Sequence, residues 1–162
     1  MALRDTLKAI HDREQEAVAF ETQKPKIIAN WQEAVKWLLG EVRGWLAEYE
    51  RDASMEFSNG VVQLDEEALG AYSVDTLSIR VGSAVVRLVP VGRMVIGATG
   101  RIDMYRQGRP DESERIKFLR LDSNRPDQWG MRRPGGLLTR SRELEAVGKD
   151  TFEAAIDGLL SD

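Results

Sequence analysis

The sequence predicts an α+β fold: an N-terminal helical hairpin and a C-terminal helix packed on one face of an antiparallel sheet of about five strands. Three observations carry that prediction. An apolar seam running from Ile28 to Tyr49 recurs in steps of three and four, the period of a buried helix face. Between Val74 and Leu121, short runs of alternating character are separated by turns of a few residues, whereas a parallel crossover needs about a dozen or more. A short amphipathic stretch follows an acidic capping sequence near the end of the chain. The 162 residues suffice for a single domain spanning 1–162, able to bury about 70% of the surface of its unfolded chain. Its parts are a helical region at about 3–51, a sheet at about 74–121, a loop at 122–140 and a helix at about 150–160.

Leu3, Leu7, Ile10, Ala17 and Val18 fall at helical spacing within residues 3–22, and charged side chains fill most of the remaining positions. Pro25 lacks the backbone N–H that a helix interior uses, so Lys24-Pro25 predicts a short connection into a second helix beginning near Lys26. There Ile28, Trp31, Val35, Leu38, Val42, Trp45 and Tyr49 form the seam, widened by Ile27, Ala34, Leu39 and Leu46. So broad a stripe favours packing inside the domain or in a hairpin with residues 3–22. Its alternative use is a homodimer through helix 28–49.

Beyond Asp52 the period shortens. Asn59-Gly60 between short apolar runs is a hairpin signal, and Asp65 followed by two glutamates suits the start of a helical turn over 65–71. Five strands are expected, at about 74–81, 84–90, 94–96, 101–105 and 115–121, each with its own alternation or β-branched run. Trp129 and Met131 then stand between the turn formers Asn124-Arg125-Pro126-Asp127 and Arg133-Pro134-Gly135-Gly136. Last, Asp150-Thr151-Phe152-Glu153 reads as a capping box, and Phe152, Ala155, Ile156 and Leu159 supply a helical face.

Charge is distributed unevenly. The formal net charge is −4, yet residues 80–142 hold 14 basic and 6 acidic side chains, while residues 1–79 hold 8 and 15 and residues 143–162 hold 1 and 6. Lys117 is the one lysine of the basic block. Arginine presents a planar fork that binds carboxylate or phosphate at two points, so the block suits an anionic partner. If Leu77, Ile79, Ile102, Met104, Ile116 and Phe118 face the core, then Arg80, Arg101, Tyr105 and Lys117 share the opposite face. Arg125, Trp129, Arg132 and Arg133 form a second group in the loop, an arginine-and-aromatic pattern common at binding hot spots. The competing reading covers this basic sheet with the chain's own acidic helices and neutralises it there.

The expected function is that of a non-catalytic interaction module, with an acidic protein surface as partner and nucleic acid as the alternative. A net-acidic chain is a poor general binder of nucleic acid. Tyr105 is also the lone aromatic assigned to the polar face, where RNA-binding sheets present two or three. Catalytic chemistry finds little support. Cysteine is absent and His11 is the single histidine, which removes thiol nucleophiles, zinc-thiolate sites and histidine clusters. No glycine-rich turn joins a strand to a helix as phosphate loops require. Asp103, Asp111, Glu114 and Lys117 approach the carboxylate-and-lysine set of a metal-dependent nuclease, a third reading, but Arg115 stands where an acid two residues before the lysine is needed. No catalytic residue, cofactor or metal ligand is therefore assigned. No apolar run nears the roughly 18 residues of a spanning helix, and the first residues lack the apolar core of a secretory signal, so the expected location is the cytoplasm, without membrane partners.

Overall fold

The computed structural model describes residues 2–95, 97–109, 111–134 and 144–161. Helix α1 runs unbroken over Leu3–Trp45, and a short α2, Ala47–Arg51, follows it after Leu46. The helical hairpin does not form, because Pro25 lies inside α1. Two physical reasons are visible. From Ala17 to Ile28 is about three turns, so the apolar positions on either side of Pro25 stay in phase along one helix. And the seam that a returning helix would cover is already filled: Trp31, Val35, Leu38 and Val42 are completely buried against the chain's own sheet and helix α3. The seam on which a homodimer through helix 28–49 would rest is thus buried within the chain at these four positions, while Ile28, Trp45 and Tyr49 stay half-buried. By contrast, every residue from 2 to 19 is exposed.

The sheet has seven strands rather than five: β1 Glu56–Glu66, β2 Gly70–Val81, β3 Ala84–Gly92, β4 Arg101–Arg106, β5 Ile116–Arg120, β6 Trp129–Arg132 and β7 Glu145–Ala146. They form an antiparallel meander in chain order. β1 passes straight through Asn59-Gly60, pairing with Leu77 and Thr76, and the reversal comes instead at residues 67–69, where Gly70 takes a positive φ of 79°. The helical turn expected over 65–71 is this reversal. Of the strand expected at 94–96, Met94 and Val95 form none, Val95 making one isolated bridge to Ala98, and Ile96 lies outside the described residues. β6 lies in the segment expected as loop, and residues 135–140 of that segment are outside the described residues.

One face of the sheet builds the core. The registers align Leu77, Leu88, Met104 and Ile116 in one row and Ile102, Phe118 and Met131 in the next, all of them buried. Helices α1 and α3 both cover this face. The ring of Trp31 in α1 meets that of Trp129 at 5.9 Å, and Phe152 of α3 lies 6.0 Å from Phe118 and 5.7 Å from Trp45. β2 pairs with β3 only from Leu77 onward; before it, β2 pairs with β1 alone. A two-stranded ribbon twists more strongly than a wide sheet, and burial changes sides there, from Tyr72, Val74 and Thr76 to Leu77 and Ile79.

Helix α3 spans Lys149–Leu160 with Gly148 as its N-cap. The Thr151 hydroxyl accepts from the Gly148 N–H at 3.0 Å, so the cap is centred two residues before the expected Asp150. Among the described residues, no helix is long and apolar enough to cross a membrane.

Candidate arginine-lined interface

With the helices on one side, strand alternation sends Arg80, Arg87, Arg101 and Arg132 to the other, whereas Arg106 and Arg120 keep the helix side. The registers put Arg87 beside Tyr105, and set Asp103, Lys117 and Arg132 in one row across β4, β5 and β6. At the centre lies Asp103, 1% exposed. Its carboxylate accepts from Arg101 Nε at 2.7 Å and Arg101 Nη2 at 2.9 Å, and from Arg115 Nη1 at 3.2 Å. Glu112 also accepts from Arg101, at 3.3 Å. The Asp103 hydrogen bonds are the largest cause holding the Arg101 guanidinium above its ordinary pKa. The Arg115 guanidinium carbon sits 4.5 Å from the Tyr105 ring centroid, a cation–π contact.

Arg101 and Arg115 are therefore matched by an acid of the basic block itself. Arg80, Arg87, Lys117 and Arg132 make no ion pair among the described residues. One described ion pair joins the block to an acidic end of the chain, Arg133 Nε to Glu145 at 2.8 Å.

The loop group divides. Arg125 is exposed and faces Asp127 at 3.4 Å. Arg132 lies on the outer face, while Arg133 leaves β6 toward α3 and donates to the Thr151 carbonyl at 3.3 Å. Trp129 is corrected: it is 5% exposed, stacked near Trp31 and donating its indole N–H to the Pro126 carbonyl at 2.8 Å. Pairing with Arg120 on β5 places it on the core side, so it presents no ring to a partner.

Sequence reasoning missed a cleft of about 290 Å³ at the end of β4. Tyr105, Arg106, Arg109, Glu114 and Arg133 line it together with Ala154, Ala155 and Gly158 of α3. These small α3 residues keep the helix surface low enough to leave the space. Arg106 Nη1 donates to the Leu159 carbonyl at 3.4 Å. No sequence signal brings Arg106 and Arg109, flanking a turn, next to a helix more than forty residues on.

The acids of the nuclease-like set have separate roles. Asp103 is taken up by Arg101 and Arg115. Asp111 accepts from the Ser113 N–H at 2.9 Å and caps the 3-10 turn Glu112–Glu114; that bond depresses its pKa. Glu114 faces the arginine cleft, and Lys117 is the cross-strand neighbour of Asp103. Comparison with protein-family models, curated proteins and solved structures finds no match for this chain.

Proposed function

We propose that this chain is a non-catalytic binding module that docks an acidic protein surface against the outer face of its sheet. Arg80, Arg87, Lys117 and Arg132 supply the contacts, and Arg101 and Arg115 are held ready beside them by Asp103. The observation that carries this reading is that both helices lie on the opposite face and that, among the described residues, Arg80, Arg87, Lys117 and Arg132 make no ion pair with the chain's own acids. Arg125 and Arg133 extend the basic surface, and the cleft beside Tyr105 takes an acidic side chain at its rim.

Rigid strands fix these guanidinium groups at strand spacing, so less side-chain entropy is lost on binding than for cations on a mobile tail. The charges also steer encounter, which makes association salt-dependent. Against nucleic acid as partner stand the two rings the sequence offered. One face of Tyr105 is taken by Arg115, and Trp129 is buried, which leaves at most one ring face for stacking a base where such sites use several.

Fluorescence anisotropy with a labelled polyglutamate peptide and a single-stranded oligonucleotide of equal charge, at about 50 and 200 mM salt, tests the reading. The expected result is polyglutamate binding that weakens with salt and is lost in the double variant Arg87→Glu, Arg132→Glu, with thermal stability retained. Tighter binding of the oligonucleotide would assign the face to nucleic acid instead. Binding of neither would refute both.

A further inference from the structure

Arg120 and Arg93 carry buried donors that the outer face does not use. Arg120 is completely buried at the end of β5. Its Nη2 donates to Asn30 Oδ1 at 2.7 Å and to the Ser123 carbonyl at 2.9 Å, both uncharged acceptors. Its Nε and Nη1 have no hydrogen-bond partner, and neither does the buried Nε of Arg93. Neither arginine takes part in an ion pair among the described residues.

The nearby acids do not fill the gap. Glu66 is turned to the main chain, accepting from the N–H groups of Arg93 and Met94 and from the Tyr72 hydroxyl. Asp122 raises the pKa of Arg120, but burial and the positive charge of Arg93, acting the other way, weigh more and leave it lowered. What remains is a buried set of charged donors with no acceptor. A buried charge left unpaired is costly, and unpaired charged donors are the complement of an anion.

We infer that Arg93 and Arg120 form the seat of an oxyanion, a phosphate or carboxylate group, bound between α1 and the end of β5. Asn30 is exposed and Arg93 half-buried, so the residues beside the buried Arg120 reach solvent. Arg93 is its solvent-side wall. Arg120 is its floor, held in orientation by Asn30 and Ser123. This site is independent of the outer face and of the partner proposed for it.

Thermal unfolding in inorganic phosphate, in acetate and in chloride at matched ionic strength tests the inference. An anion that occupies the seat at ten times its Kd raises the midpoint of the full chain by about 3–6 °C over chloride, and whichever of the two does so names the source. Arg93→Met and Arg120→Met should each abolish the shift, while Arg87→Glu on the outer face leaves it intact. Should Arg120→Met fail to fold, Arg93→Met decides alone, since Arg93 is only half-buried. The inference is overturned if neither anion exceeds chloride, or if the shift persists in Arg93→Met.

Discussion

At Gly100 the backbone takes a φ of 148°, and a β-carbon there would clash with three carbons of the Trp31 ring. Gly100→Ala should therefore cost roughly 2–3 kcal/mol in urea unfolding, combining a strained φ with overpacking. Asp103 makes a second case. Removing its charge leaves Arg101 and Arg115 facing a neutral amide at a buried position. Because both arginines keep partial contact with water, Asp103→Asn should cost roughly 2–3 kcal/mol, below the range for fully buried pairs. It should also weaken polyglutamate binding by loosening the two supports. The same unfolding and anisotropy measurements check both effects. At this scale the sequence is partly legible: alternation alone put Arg101, Tyr105 and Lys117 on one face. The convergence of Arg101 and Arg115 on Asp103 depends on a turn bringing β5 back beside β4, which no local pattern encodes.

Helix α1 is one element in two environments. Its second half lies on the sheet, while residues 2–19 are exposed, including Leu3 at 72%, Leu7 at 56% and Val18 at 66%. Leu38→Ala, which opens a cavity under a fully buried side chain, should cost about 2–5 kcal/mol; Leu7→Ala should stay within about 0.5 kcal/mol. Hydrogen exchange should divide at the same place, with amides before Phe20 exchanging by local fraying and those around Val35 to Val42 only through global opening. A proline normally ends a helix, which is why a hairpin was expected at Pro25. The phase held between Ala17 and Ile28 was the sequence signal for a continuous helix. In the sheet, the Asn59-Gly60 pair misled because pairing along the whole of β1 outweighs a local turn preference. β6 was hidden by the proline and glycine that flank it.

For the molecule as a whole, the segregation of charge along the chain becomes a segregation of sides. Both helices bury their apolar faces on one side of the sheet, and alternation leaves Arg80, Arg87, Arg101 and Arg132 on the other, while Arg106 and Arg120 stay on the helix side. The sequence made the excess of arginine legible, and with it the choice between an open face and one covered by acidic helices. It could not decide between them, because the side on which a helix packs depends on which strand face is apolar across all seven strands at once. The openness of the arginine face is the claim on which the docking proposal depends, and arginine-specific modification by phenylglyoxal, read by peptide mass spectrometry on the native protein, tests it most directly. Arg80 and Arg87 should react well before Arg101 and Arg115, with Arg120 last. Protection of Arg80 and Arg87 to the level of Arg120 would contradict the account.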